Sequence, residues 1–232
     1  MGLAEPATPL LKGELDGIPM HIIHVETRPQ AEVGIKLDGI VDEPIWQTLP
    51  YYDNLIGSVP ATGKPGEYPS EFRVLATEKG LYVSAVLYQP PETINNRFTK
   101  RDAQGERDTI GITIDSTGTG TFAYWFILSA SGTIQDGKVL PVRRYNTVWD
   151  GTWLHKTAHF SEGWSAEMFF PWSMMTLPKV PSDYREIGFA FSRQVSHNNQ
   201  RLFWPGHPYS SRQFVSALNT MQLNGKKKRK LI

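Results

Sequence analysis

Thr109-Ile110-Gly111-Ile112-Thr113-Ile114-Asp115, followed after a short Gly/Ser/Thr stretch by Phe122-Ala123-Tyr124-Trp125-Phe126-Ile127-Leu128-Ser129, decides the fold class. In the first run three isoleucines alternate with Thr109, Gly111 and Thr113. In the second, Phe122, Tyr124, Phe126 and Leu128 alternate with Ala123, Trp125 and Ile127. A period of two carried by β-branched and aromatic residues marks half-buried strands. Between the runs, Ser116-Thr117-Gly118-Thr119-Gly120 is a turn, too short for the crossover that parallel strands require.

The same period continues outward. Leu81, Val83, Ala85 and Leu87 alternate along one run, and Glu78-Lys79-Gly80 before it predicts a hairpin turn. Trp164-Ala166-Met168-Phe170 and Ile187-Phe189-Phe191 are further strands, and Ser131-Gly132 is a further turn. One helix is predicted, over Asp42–Leu49, with Asp42 as its cap and Pro44 in its first turn. The fold class is therefore all-β: a single antiparallel, jelly-roll-like β-sandwich with few short helices. It is expected over residues 21–224, with a flexible N-terminal segment over 1–20. A basic tail over 225–232 contains Lys226-Lys227-Lys228-Arg229-Lys230 and reads as a solvated end.

Composition narrows the function. The 232 residues hold 24 basic and 23 acidic side chains, a balance that gives no global attraction to nucleic acid. With no cysteine, disulfides, thiolate nucleophiles and cysteine metal sites are all excluded. No window has the ~18–20 apolar residues of a spanning helix. Met1–Pro6 lacks the basic and apolar regions of a secretory leader. Catalysis has no motif to stand on: G-x-S-x-G and H-E-x-x-H are both missing, so the chain is expected to be non-catalytic.

Recognition chemistry is better represented. Sugars are held by flat aromatic faces and a few aimed polar groups. Of seven tryptophans, Trp46, Trp125, Trp164 and Trp172 occupy apolar-patterned positions and are expected to pack. Trp149 and Trp153 flank the turn-like Asp150-Gly151-Thr152. Beyond them, alternation places His155, Thr157 and His159 on one face, opposite Leu154, Ala158 and Phe160. That polar face, with Trp153, is expected to be a wet surface on which Trp149 and Trp153 stack a ligand.

Several segments, in order, carry a family resemblance. Ile35-Lys36-Leu37-Asp38-Gly39 through Asp42-Glu43-Pro44-Ile45-Trp46 resembles the opening motif of the family 9 carbohydrate-binding module. Phe72–Ala76 with Gly80–Val83, then Asp108–Asp115, resemble its next strands. Gly163-Trp164-Ser165-Ala166-Glu167 with Phe170-Pro171, and Ile187-Gly188-Phe189 through Arg193, resemble its later ones. The resemblance spans about residues 33–223 and implies a β-sandwich that binds a saccharide or glycan without catalysis. Arg101 and Glu106, carried over from the family pattern, are expected to reach sugar hydroxyls, and so is Arg193 of the strand that resembles the family's later one. Gly105 stands where the family has a platform tryptophan, and Trp204 and Tyr209 are the aromatics near the second platform. Family members bind calcium structurally, which implies Asp102, Asp108 and Asp136 as ligands, with Asp115 and Glu167 as further oxygen donors.

The branch most similar in its later segments, from Trp204-Pro205 on, precedes a predicted outer-membrane β-barrel. It implies a periplasmic or cell-surface location, with that barrel as a possible partner. Two alternatives accompany the sugar-binding expectation. One is a docking module presenting Arg143, Arg144 and the basic tail. The other is a glycoside hydrolase-associated or haem-binding sandwich, for which Met168, Met174, Met175 and several histidines are available ligands.

Overall fold

A computed structural model of the chain describes residues 5–179, 184–207 and 211–224. Fourteen strands follow in order: β1 Leu10–Leu15, β2 Ile18–Val25, β3 Ile56–Val59, β4 Ser70–Ala76, β5 Gly80–Tyr88, β6 Thr109–Asp115, β7 Ala123–Ser129, β8 Ile134–Leu140, β9 Arg144–Asn146, β10 Leu154–Phe160, β11 Gly163–Pro171, β12 Tyr184–Val195, β13 Gln200–Trp204 and β14 Asn219–Asn224. Two short helices, α1 Gln30–Val33 and α2 Pro44–Thr48, are the α-helical segments among the described residues.

The strands form two sheets. The larger runs β1-β2-β14-β12-β6-β7-β8-β9, with β13 and β3 branching from β12, and the smaller runs β10-β11-β5-β4. All ladders between strands are antiparallel except β14 with β2, which is parallel. The all-β sandwich expected from the alternation is what forms.

Alternation explains the layers. Ile110, Ile112 and Ile114 of β6 point between the sheets, where Phe126, Phe170, Phe72, Phe189 and Phe191 also pack. Phe72 lies on Phe191 at 4.3 Å with rings almost parallel. The opposite set on β7, Ala123 and Trp125, joins a second cluster with Phe203, Phe214 and Leu218. A third cluster lies outside the smaller sheet, where Trp46 and Val33 pack on Leu75 and Tyr82. Trp46, Trp125 and Trp164 are buried, and Trp172 is partly buried against the main core, all in the packing roles expected.

Two boundaries differ from expectation. The segment placed outside the sandwich includes β1, which pairs with β2, so the larger sheet begins at Leu10. The α2 cap is Glu43, not Asp42, although Pro44 is in the first turn; Glu43 makes no side-chain capping bond there, and its Oε1 instead accepts the Lys36 amide at 2.9 Å. The basic tail from 225 lies outside the described residues.

Candidate functional site

At one end of β8 the chain builds a charged cluster around a buried carboxylate. Asp136 is fully buried, on the face of β8 that carries its ladder partner Phe126 into the core. Its Oδ2 accepts the Trp153 indole N–H at 2.8 Å and the Gly151 amide at 3.1 Å. Arg101 Nη2 donates to both of its oxygens, at 2.8 and 3.0 Å, and to Asp150 Oδ1 at 3.0 Å. Asp102 joins through Arg101 Nε at 3.5 Å, and its Oδ1 accepts the Asp136 amide at 3.4 Å. A buried carboxylate needs both a counterion and donors, and this arrangement supplies them.

Trp153 belongs to this cluster and not to a ligand face. It is 5% exposed and stacks on Phe170 at 5.3 Å. Of the set expected to be wet, His155 and Thr157 are part-buried and His159 is exposed, while Thr157 Oγ1 and His159 Nε2 both donate to the Ala130 carbonyl, at 3.3 and 3.0 Å. His155 lies 4.8 Å from the Trp153 ring, and desolvation lowers its pKa. Leu154, on the opposite set, is 55% exposed. Alternation fixes two faces but not which one turns inward. At this edge of the smaller sheet, two members of the polar set meet the Ala130 carbonyl of the β7–β8 turn while the set keeps contact with solvent.

Trp149 is placed differently. It is half-buried, with its ring 4.7 Å from Tyr124 and 6.0 Å from Phe126. With Lys138, Leu140, Asn146 and Val148 it lines an open concavity of ≈ 400 Å³. The concavity exists because β8 and β9 extend the larger sheet at its edge, while the smaller sheet has four strands to cover it. Lys138 Nζ lies 5.4 Å from the Tyr124 ring centre, and Lys138 and Asn146 border a concavity whose exposed lining is mostly apolar. Sequence reasoning reached Trp149 but missed Lys138 and Asn146, which the Lys138–Asn146 pairing of β8 with β9 brings together.

The residues implied by the family pattern divide. Arg193 is 1% exposed, and its guanidinium donates to the Pro69 and Tyr88 carbonyls and to Ser70 Oγ, each at 2.8 Å. It ties β12 to the ends of β4 and β5, with its pKa lowered to about 10 by burial. Every described partner is internal, so it reaches no ligand. Glu106 is exposed, and its carbonyl accepts Asn95 Nδ2 at 2.9 Å. A Cβ on Gly105 would meet nothing within 4 Å, so packing does not require glycine there. Trp204 is buried against Tyr52, and Tyr209 lies outside the described residues.

The acids implied for calcium also separate. Asp108 is buried apart from the cluster, its oxygens accepting the Asn95 amide at 2.6 Å and the Ser196 amide at 3.4 Å; burial raises its pKa. Asp115 accepts the Thr117, Gly118 and Gly120 amides and anchors its turn. Glu167 accepts the Asp38 and Gly39 amides and the Trp46 indole. Asp102, Asp136 and Asp150 do converge, each offering an oxygen within 4.8 Å of the others. Calcium takes six to eight oxygens. The Arg101 guanidinium is the cation among these three, and Asp136 already serves two further donors. The arrangement does not fit calcium.

Of the candidate haem ligands, Met168 and Met175 are buried among core side chains, and Met174 packs against that core. Of the docking cations, Arg143 lies 4.4 Å over the Phe214 ring. No described helix is long and apolar enough to cross a membrane.

The two sheets form a β-sandwich whose fold is similar to that of solved carbohydrate-binding structures. In particular, a family 9 carbohydrate-binding module from Caldicellulosiruptor kristjanssonii, solved with cellotriose, is similar over 91% of this chain and 97% of its own, with TM-score 0.63 and 16% identity. A family 9 carbohydrate-binding module from the same organism, solved with glucose, is similar over 89% of this chain and 97% of its own, with TM-score 0.63 and 16% identity. A Bacteroides uniformis protein, provisionally designated carbohydrate-binding, matches 88% of this chain and 99% of its own at TM-score 0.66 and 12% identity. No protein-family model matches the chain, and no curated protein does. The resemblance carried by the motifs is thus shared at the level of the fold.

Proposed function

We propose that the protein is a non-catalytic saccharide-binding module and that Trp149 is its stacking residue. The observation that carries this is the open concavity, where a half-exposed indole lies beside Lys138 and Asn146 on the edge of a rigid sheet. A pyranose offers C–H groups to an aromatic face and hydroxyls to an amide and a cation, so the residue types match its two surfaces. The fold shared with modules solved holding cellotriose and glucose supports the same ligand class. A periplasmic or cell-surface location is part of the same proposal, and the fold shared with these modules supports it.

The test is a glycan array probed with the purified domain, repeated with Trp149→Leu. Reproducible binding that falls at least tenfold in the variant, with an unchanged melting temperature, is the expected result. A blank array on folded wild-type protein would overturn the proposal. Replicating the array in chelator should leave every signal intact, because Arg101 supplies the cation of the neighbouring cluster.

A further inference from the structure

Large aliphatic side chains gather at one place on the surface. Leu140 is 43% exposed, Val142 59% and Val148 87%, all close in sequence to the half-buried Trp149. Single exposed apolar residues need no account, but a group of them around a concavity marks a binding surface. Leu140, Val148 and Trp149 line the open concavity of ≈ 400 Å³ at the β8–β9 edge, where the other lining residues are Lys138 and Asn146. A bare pyranose covers an indole with its C–H face but has only hydroxyls to offer Leu140 and Val148.

The ladder fixes which strand residues share this face. Tyr124, Lys138 and Asn146 oppose one another across β7, β8 and β9, and Leu140 opposes Arg144 two residues along. Directly opposed residues point to the same side of a sheet, as do residues two apart on one strand. Lys138, Leu140, Arg144 and Asn146 therefore belong to one side, that of the concavity. Lys138 and Arg144 are diagonal neighbours, with Cβ atoms about 7–8 Å apart. Neither has an ion-pair partner among the described residues, and the adjacent acid, Asp150, is bound by Arg101. Lys138 Nζ lies 5.8 and 5.4 Å from the Phe122 and Tyr124 ring centres, which steadies it at the rim. Two cations without a counter-charge thus border an apolar floor.

We propose that the concavity recognises an anionic saccharide carrying an apolar substituent, with the sugar ring on Trp149, the substituent along Leu140 and Val148, and the anionic group between Lys138 and Arg144. The inference rests on the saccharide-binding reading and adds its ligand class. An alkyl, aryl or acyl substituent removes from water the aliphatic surface that a bare ring leaves wet. A carboxylate or phosphate supplies the charge that both cations lack, and the Arg144 fork grips it with two donors.

The experiment is titration calorimetry with glucose, glucuronic acid, octyl glucoside, octyl glucuronide and octanoate, each below micelle formation. The octyl group should tighten binding of either sugar about tenfold or more, and the carboxylate about fivefold. Val148→Ser should cut the octyl preference to about a third without lowering the melting temperature, because the side chain is almost wholly exposed. The double variant Lys138→Gln/Arg144→Gln should erase the carboxylate preference and keep the octyl one, a separation that a general loss of folding would not give. Equal affinity for glucose and octyl glucuronide would overturn the proposal and leave saccharide binding standing. So would an octyl preference that Val148→Ser and Leu140→Ser leave untouched, since the chain would then lie elsewhere. Octanoate binding as tightly as octyl glucuronide would overturn the proposal together with the saccharide reading, because the ring would contribute nothing. A folded wild type that binds none of the five, and is blank on the array, would withdraw both as well.

Discussion

Arg193 illustrates how a charged residue in a recognisable strand pattern can be wholly structural. Its N–H groups meet carbonyls and hydroxyls from both ends of the β4–β5 hairpin, and Gln89 Oε1 accepts at 3.1 Å. Burying an arginine is tolerable only with such a set of acceptors. Arg193→Met should therefore cost roughly 3 kcal/mol, since it strands several buried acceptors at once. Urea unfolding of the two proteins measures this, and a loss below half of that figure would mean that water replaces the guanidinium. Trp153 teaches the same lesson: its indole N–H is donated to Asp136 and its ring stacks on Phe170, which leaves it 5% exposed.

At the scale of elements, two distant motifs turn out to be one latch. Gly39 (φ +92°) adopts a backbone conformation that side chains avoid, and a Cβ there would lie 2.5 Å from the Thr157 backbone. That close approach brings the Asp38 and Gly39 amides to Glu167 Oε2 at 3.1 and 3.0 Å, while Trp46 reaches Oε1 at 2.9 Å. The segment carrying α2 is thereby fastened over β11. Burial pushes the Glu167 carboxyl up from 4.5 to about 7. A raised folded-state pKa means that the native state binds more protons than the unfolded chain between those values. Its contribution is full below about 4.5 and falls away as pH rises through about 7. Glu167→Gln must turn an amide N–H toward donors, at a cost of about 2 kcal/mol, and should flatten this part of the pH dependence. Thermal melts of both proteins from pH 4 to 8 read the difference, and parallel curves would disprove the assignment.

For the whole molecule, the unequal sheets matter most. Ten strands face four, so the β8–β9 edge stays open and one end of it is closed by charges instead of apolar packing. Arg101 holds that closure. Arg101→Ala should destabilise the protein by about 2 kcal/mol, moderated because the guanidinium is partly exposed while Asp136 is buried. Wild-type melting should be the same in calcium and in chelator. A calcium-dependent rise in the wild type would mean that the ion displaces Arg101 from the three carboxylates.

Strand alternation and turn residues were enough to read β4–β7, β11 and β12, the packing tryptophans and the all-β sandwich, because these depend on period and local backbone freedom. The β1–β2 hairpin was less legible: Gly13 and a register shift interrupt its alternation, and its place in the domain comes from parallel pairing with β14, some two hundred residues away. Trp149 stood out by its turn-like surroundings, but the partners that shape its concavity arrive through the β8–β9 pairing. The hydrogen bonds of Thr157 and His159 to the Ala130 carbonyl, the diversion of Arg193 and the occupation of the carboxylate cluster by Arg101 were decided by tertiary structure alone. Periodicity records which residues share a face. Which face is buried, and which oxygen a cation meets, depends on elements far apart in the chain that only folding brings within hydrogen-bond distance.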